Sequence, residues 1–277
     1  MKLALMIEGQ EGVSWTDWQR LATLAEENGF DALMRSDHYL SVIGKAERQA
    51  LDAWGTICAL APQTQRIRLG TLVSPVTFRP AAVLAKLALT ADQASGGRID
   101  VGMGTGWNEL EHETFGLDLP PMSERFDLLE QQVSDVTRFW AETKPEPIGL
   151  RIVLGGQAKP RAARLAAQHA AEYNVLYNSP DEIREKRARL DDRLSLSMMT
   201  GFAIGTDQAQ ADERRAKIKD RMGSDGNDTW LLGTPDQVVD QLKTLADAGL
   251  DRVMLQHFLH TDDDALRLVA EAVLPAL

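Results

Sequence analysis

Short runs of apolar residues alternate with longer amphipathic stretches along nearly the whole chain. This alternation is typical of repeated strand and helix units around a parallel sheet, whose strands are buried on both faces. The pattern predicts about eight such units. Their strands are expected at Leu3–Ile7, Ala32–Arg35, Ile67–Leu72, Ile99–Gly102, Arg151–Leu154, Glu172–Val175, Met198–Ile204 and Arg252–Gln256.

Helix-start motifs lie between several of these predicted strands. Ser14 and Asp17 have the spacing of a capping box, in which a hydroxyl and a carboxylate satisfy free backbone amides at the start of a helix. Ser179 and Thr234 each precede a proline and have an acid or amide three residues later. Asn28-Gly29 is typical of a helix end. These motifs predict helices that cover the outside of the sheet.

The chain shows no clear division into two domains. It contains no linker rich in glycine and serine, and Lys144-Pro145-Glu146-Pro147 is its only proline-rich joint. Its 277 residues suit a barrel, since α/β barrels of about 250 residues fold as one unit. We therefore predict an α/β fold with a single (β/α)₈ barrel over residues 1–277. A two-domain doubly wound sheet is the alternative.

The charge balance of the chain limits the classes of molecule that it is expected to bind. Thirty Lys and Arg against 41 Asp and Glu give a net charge of −11, which disfavours nucleic acids and anionic membranes. The apolar start is too short for a signal peptide, and no later apolar run has the length of a membrane span. A single cysteine, Cys58, excludes an internal disulfide and favours a reducing compartment. We therefore expect a cytoplasmic protein that acts on a small molecule.

Candidate catalytic residues follow from the barrel prediction, because such barrels carry their catalytic groups where strands end. The second predicted strand ends at Ser36-Asp37-His38, which brings a carboxylate and an imidazole together. His38 is the leading candidate, since histidine alone has an unperturbed pKa close to neutrality, and Asp37 is the second. A structural histidine is the alternative. A metal site is not expected, because no cysteine or acid joins the histidines at ligand spacing.

Two glycine-rich segments follow predicted strands. Gly102 to Gly106 has the spacing G-x-G-x-G, which differs from the dinucleotide-binding fingerprint G-x-G-x-x-G. Glycines at this place let a flat ring lie against the backbone. Gly155 and Gly156 precede Lys159 and Arg161 at a predicted helix start, where free amides and positive charge favour a phosphate. A plain turn is the alternative at this second segment.

The order and spacing of these motifs resemble the luciferase-like flavin and deazaflavin oxidoreductases, a family of (β/α)₈ barrels. The resemblance covers nearly the whole chain. It rests on Gly29-Phe30-Asp31-Ala32-Leu33 with Ser36-Asp37-His38, Leu69-Gly70-Thr71 with Arg79-Pro80, Ser95-Gly96-Gly97-Arg98, Gly102 to Gly116, Gly155-Gly156, and Leu165-Ala166-Ala167 before Asn174. The segments Glu8 to Gly12 and Arg35 to Tyr39 are similar to the branch that uses coenzyme F-420, a 5-deazaflavin.

This resemblance implies an enzyme, with homodimers expected, that moves a hydride between the deazaflavin C5 and a small organic substrate. It implies that His38 donates or accepts the proton, with Asp37 near the ring edge, and that the Leu72–Val73 peptide bond is cis and supports the ring. The residues that it assigns to the coenzyme are Ser36, Thr71, Leu72, Val73, Gly104, Thr105, Gly106, Trp107, Gly155, Gly156, Gln157 and Asn174. An FMN-dependent monooxygenase that uses reduced flavin and oxygen is the alternative, and a barrel without enzymatic activity is the third hypothesis.

Two departures from the family pattern concern the site. Only residues 141–150 lie between Trp140 and Arg151, where many relatives carry a longer segment that helps to cover the pocket, so an open site is expected. Trp107 stands where the sugar-phosphate dehydrogenase branch has an acid, which argues against that enzyme's acid and substrate. Nearby, Glu109 and Glu111 are expected on a helix that starts at Trp107, where they pair with Arg125.

Overall fold

The computed structural model describes residues 1–45, 47–224 and 226–277. The strands in these parts are β1 (Lys2–Ile7), β2 (Ala32–Arg35), β3 (Arg68–Thr71), β4 (Ser74–Pro75), β5 (Ile99–Gly104), β6 (Arg151–Gly155), β7 (Glu172–Leu176), β8 (Ser195–Ile204), β9 (Leu231–Gly233) and β10 (Arg252–Gln256). The helices are α1 (Trp15–Glu27), α2 (Ala53–Leu60), α3 (Ala81–Ser95), α4 (Glu109–Phe115), α5 (Met122–Glu142), α6 (Pro160–His169), α7 (Pro180–Arg187), α8 (Gln208–Met222), α9 (Pro235–Asp247) and α10 (Asp263–Leu268).

Eight parallel strands pair side by side and close into a ring. Their order is β1, β2, β3, β5, β6, β7, β8 and β10, and β10 pairs with β1 through Lys2 opposite Arg252. The helices between them surround this ring. The fold is therefore the predicted (β/α)₈ barrel, and the doubly wound sheet is wrong. No described helix could cross a membrane.

Two strands were not expected from the apolar runs. The two-residue β4 pairs with the end of β5, with Ser74 opposite Met103. The three-residue β9 pairs with the second half of β8, with Phe202 opposite Leu231. β8 is long because its first half belongs to the barrel, whereas its second half extends to meet β9.

The side chains of each barrel strand point alternately outwards and inwards, which divides the core into an outer and an inner layer. Along β1, Leu3, Leu5 and Ile7 join the large cluster under the helices, whereas Ala4 and Met6 point into the barrel. Successive side chains of a strand face opposite sides, so each barrel strand serves both layers. The inner cluster also contains methionines from other strands, among them Met34 and Met254. Both sides of the ring are therefore filled, as a packed barrel requires.

The predicted helix starts are confirmed. Ser14, Ser179 and Thr234 each form a capping box at the start of α1, α7 and α9. α1 ends at the predicted Asn28-Gly29, where Gly29 has a left-handed backbone with φ of 77°. A side chain is strained in that conformation, so glycine is favoured there.

Residues 141–150 lie at the amino-terminal end of the barrel strands, away from the strand ends that carry catalytic groups. The backbone N–H groups of Ile148 and Gly149 donate to Asp92 at the end of α3, and Gly149 O accepts from Arg68 at the start of β3. None of residues 141–150 reaches the cavity described below. The length of this segment therefore does not determine how open the site is.

A buried cluster of charges closes the same end of the barrel. Arg252 at the start of β10 contacts Glu172 at 3.0 Å, Asp31 at 3.1 Å and Asp100 at 3.3 Å. Arg68 donates to Asp100 at 2.7 Å. Burial lowers the pKa of Arg252, but the three carboxylates outweigh it and the pKa is raised. These charges neutralise one another and serve the structure, since removing one buried partner would leave the others uncompensated.

Candidate active site

The carboxyl ends of the barrel strands surround a cavity of about 430 Å³. Among the residues that the structure describes, those that line the cavity are Glu8, Ser36, His38, Val42, Leu72, Val73, Pro75, Gly104, Thr105, Gly106, Trp107, Met122, Gly155, Gly156, Asn174, Leu176 and Met199. The volume suits a small organic ligand, and the position is where (β/α)₈ enzymes carry their active sites. Most of the predicted site residues therefore meet around one cavity.

His38 lies in this wall and is bound to Glu111 of α4. Its Nδ1 lies 2.9 Å from Glu111 Oε2. A carboxylate only accepts hydrogen bonds, so Nδ1 donates, and Nε2 is the nitrogen that is left to bind or release a proton. Burial lowers the pKa of His38, but the hydrogen bond and charge of Glu111, helped by Glu8 and Asp37, outweigh it and the pKa is raised. The imidazole therefore has the arrangement of a general acid or base.

Glu111 also fixes the backbone that carries His38. Its buried carboxylate accepts hydrogen bonds from the backbone N–H groups of Tyr39 and Leu40. The expected pair between Glu111 and Arg125 is not formed, because Arg125 donates to the Gly106 carbonyl at 2.6 Å. α4 begins at Glu109 with Asn108 as its N-cap, not at Trp107.

Asp37 does not reach the cavity wall. Its buried carboxylate binds Arg79 through two contacts of 2.6 and 3.1 Å, and Ser74 Oγ donates to it at 2.6 Å. Arg79 also donates to Asp52 at 2.6 Å. The structure therefore places Asp37 behind the site, where it fixes the residues after β2 and β3. Its predicted catalytic role is not supported by this position.

One wall of the cavity is formed by the residues after β3 and the end of β5. The peptide bond between Leu72 and Val73 is cis, as the resemblance implies. A Cβ at Gly104 would lie 2.6 Å from Val73 Cγ2, and one at Gly102 would lie 2.0 Å from the Thr71 carbonyl oxygen. Glycine is therefore required for this close packing. Thr71 itself lies behind the wall, where its hydroxyl donates to Gly102 O at 3.1 Å.

The predicted phosphate segment borders the cavity only in part. Gly155 and Gly156 line it, together with Asn174, whose backbone carbonyl accepts from Gly156 N at 3.0 Å. Gln157 is outside the wall and accepts from Lys186 at 3.1 Å.

Arg161, expected to favour a phosphate near this segment, is already bound to acids. Its guanidinium contacts Asp127 at 2.5 Å and Glu130 at 2.6 Å. The positive charge next to the glycine segment is therefore reduced by its own neighbours.

Two acids that the structure brings to the site were not among the predicted site residues. Glu111 was expected to pair with Arg125, and it is separated from His38 by 73 residues, so no local motif links them. Glu8 directly follows β1 and lines the cavity; it lies at a predicted strand end but was not assigned a role in the site. At the mouth, Trp107 is 59% exposed and its ring lies 5.5 Å from that of His38 in an edge-on arrangement.

The sequence of this barrel matches the model of a known family. The family is described as luciferase-like monooxygenase, and the match covers residues 4–200. The chain belongs to this family. The predicted resemblance is therefore confirmed, and the protein is an oxidoreductase of the luciferase-like kind.

Its relatives within the luciferase-like family use more than one coenzyme. A coenzyme F-420-dependent glucose-6-phosphate dehydrogenase of Microbacterium testaceum is 25% identical in an alignment that covers 92% of this chain and 91% of that one. An FMNH₂-dependent dimethylsulfone monooxygenase of Pseudomonas fluorescens is 24% identical and covers 94% and 88%. The crystal structure of monooxygenase RslO1 from Streptomyces bottropensis covers 99% of both chains with a TM-score of 0.82 at 22% identity.

Proposed function

We propose that this luciferase-like protein is a coenzyme F-420-dependent oxidoreductase that moves a hydride between the deazaflavin C5 and a small organic substrate. The observation that carries the proposal is the pairing of His38 with Glu111 at the cavity wall. A substrate that gains or loses a hydride also gains or loses a proton, and this pair provides the group that handles it. The similarity to an F-420-dependent dehydrogenase over most of both chains supports the choice of coenzyme.

The residues of the cavity fit a flat ring. Val73 and Gly104 form a wall in which one branched side chain and bare backbone meet at close range. A ring could lie on this wall, since glycine carries no side chain that would hold it away. Gly155 and Gly156 leave backbone accessible at the edge of the cavity, where a phosphate-bearing chain could pass.

The mechanism assigns the proton to one atom of the protein. When bound, the reduced deazaflavin supplies a hydride from C5, and the oxidised form accepts one. His38 keeps one proton on Nδ1, shared with Glu111. Its Nε2 gives a proton to a substrate that is being reduced, or takes one from a substrate that is being oxidised. The negative charge of Glu111 stabilises the doubly protonated imidazole between these events.

A paired titration with coenzyme F-420 and FMN tests the proposal. Intrinsic fluorescence reports binding, because Trp107 lies in the cavity wall. We expect tight binding of F-420 and weak binding of FMN, with a signal that is reduced in Trp107→Phe but kept in the control Trp15→Phe on α1.

The alternative function, an FMN-dependent monooxygenase, is favoured by the similarity to the dimethylsulfone monooxygenase. Tight binding of FMN with weak binding of F-420 would overturn the proposal in favour of this alternative. Binding of neither coenzyme would overturn both. An oxygen requirement in turnover would also decide for FMN, since a deazaflavin does not activate oxygen efficiently.

A further inference from the structure

The cavity holds a second carboxylate that the proposed proton transfer does not use. Glu8 lines the cavity together with His38. Its Oε2 accepts from Gln10 Nε2 at 2.8 Å, and its Oε1 accepts from Gln256 Nε2. Tyr177 donates its hydroxyl hydrogen to Gln256 Oε1, so the amide N–H of Gln256 is turned towards Glu8. The orientation of the carboxylate is therefore fixed from two sides.

Glu8 differs from the other acids around the strand ends, because its partners are neutral. Glu11 binds Arg48 at 2.5 Å, and Asp37 binds Arg79 at 2.6 Å. Glu111 binds His38 at 2.9 Å. By contrast, no described lysine or arginine forms an ion pair with Glu8, whose recorded partners are two amides. A carboxylate held in this way keeps acceptor capacity and charge for a ligand.

Among the described residues of the cavity wall, His38 alone can offer an anionic substrate a positive charge, and only when it is doubly protonated. None of the described residues that line the cavity is a lysine or an arginine. The negative charge of Glu8 affects other side chains around the cavity. It contributes to the raised pKa of His38. It also contributes to the raised pKa of Tyr177, although burial is the largest cause of that shift. Val42, Leu176 and Met199 provide apolar surface beside these polar groups.

We infer that Glu8, oriented by Gln256 and Tyr177, is the substrate-recognition group of this cavity and selects small organic molecules with an ammonium or hydroxyl donor over anions. The catalytic significance of this inference rests on the proposed function. It implies that phosphorylated sugars and carboxylates are poor substrates. The relative from Microbacterium testaceum, by contrast, is named as a glucose-6-phosphate dehydrogenase.

Four probes with one ring and different polar groups test this selectivity without any coenzyme. Benzylamine, benzyl alcohol, benzoate and benzyl phosphate are titrated into the full-length protein, and binding is followed by Trp107 fluorescence and ligand-observed NMR. We expect benzylamine to bind about tenfold or more tightly than benzoate and benzyl phosphate, which corresponds to about 1.4 kcal/mol. The affinity of benzyl alcohol should lie between these limits.

Two variants assign the selectivity to Glu8. Glu8→Gln should reduce the preference for benzylamine over benzoate about tenfold, whereas Glu113→Gln, an exposed exchange on α4, should leave it unchanged. Tyr177→Phe keeps the carboxylate but removes the hydroxyl that orients Gln256, so it should weaken the preference less than Glu8→Gln does. Thermal unfolding of each variant shows whether it is folded.

Equal binding of benzylamine and benzoate to the wild-type protein would overturn the inference, as would a preference that Glu8→Gln and Tyr177→Phe both leave intact. The coenzyme titration is separate from this probe experiment. A protein that binds neither F-420 nor FMN but selects benzylamine through Glu8 would refute the proposed function alone. One that binds F-420 without probe selectivity would refute only the role of Glu8.

Discussion

Replacing Glu111 by glutamine tests the proton chemistry of His38 directly. The Glu111 carboxylate accepts hydrogen bonds from His38 Nδ1 and from the backbone N–H groups of Tyr39 and Leu40. In Glu111→Gln the amide oxygen can still accept from the backbone, whereas the amide NH₂ faces Nδ1. Nδ1 must then accept, and the neutral imidazole carries its proton on Nε2. The exchange therefore reverses the tautomer of His38.

The expected loss of stability follows from the bond that is replaced. A hydrogen bond to a charged group contributes about 1.5–3 kcal/mol, and the backbone bonds remain, so Glu111→Gln should lower the free energy of unfolding by roughly this amount. The loss should depend on pH. Because the pKa of His38 is raised in the folded protein, its stabilising effect is complete below the ordinary histidine pKa. The effect disappears as the pH rises through the raised pKa.

Urea unfolding at about pH 5.5 and about pH 8 measures this difference, since these values lie on either side of the ordinary histidine pKa. The variant should lose more stability at the lower pH, while the exposed exchange Glu113→Gln on the same helix should change little at either. Long-range proton–nitrogen NMR spectra of the histidines report the tautomer. A His38 that keeps its proton on Nδ1 in Glu111→Gln, together with a loss of stability that does not vary with pH, would refute the reasoning.

Three further exchanges separate structural from functional roles. Asp37→Asn removes the charge of one partner of the buried pair with Arg79 and should lower the free energy of unfolding in urea by about 3–5 kcal/mol. A small loss of stability together with a large change in the titration of His38 would instead support a catalytic role for Asp37. Gly155→Ala places a Cβ 3.7 Å from Val73 Cγ1, an ordinary contact, so stability should change by less than about 1 kcal/mol. Its methyl group should nevertheless weaken F-420 binding about tenfold in the fluorescence titration, and an unchanged affinity would place the coenzyme elsewhere. Burial lowers the pKa of His257 to about 3, so this histidine by itself should reduce the stability of the folded protein by about 2 kcal/mol between about pH 6.5 and pH 5. His257→Phe should remove this loss, and identical pH dependence in the two proteins would contradict it.

The barrel could be predicted from the sequence because its strands are buried on both faces. Most of the eight ring strands contain a short apolar run, and the caps at Ser14, Ser179 and Thr234 mark helix starts between these runs with local motifs. β4 and β9 were missed because two or three residues carry too little periodicity. The charge cluster around Arg252 was missed as well, since its partners come from different strands.

The site could be predicted at the level of strand ends but not of side-chain directions. The rule that catalytic groups follow barrel strands led to His38, Gly155 and Asn174, which all line the cavity. It also selected Asp37 as the second candidate, although neighbouring residues in extended backbone point to opposite sides, and Asp37 points to Arg79. A local motif also cannot reveal Glu111, because its contact with His38 depends on how α4 packs over the end of β2.

The two ends of the barrel hold their charged side chains differently, and this difference bears on function. At the amino-terminal end, Arg252 gathers Asp31, Asp100 and Glu172, so the charges compensate one another. At the carboxyl end, the charge of Glu8 is held by neutral amides and faces the same cavity as His38. A carboxylate whose hydrogen-bond partners are amides keeps charge and acceptor capacity for a ligand. Under the roles proposed for Glu8 and His38, substrate recognition and proton transfer share one cavity, because both side chains line it and the charge of Glu8 acts on His38.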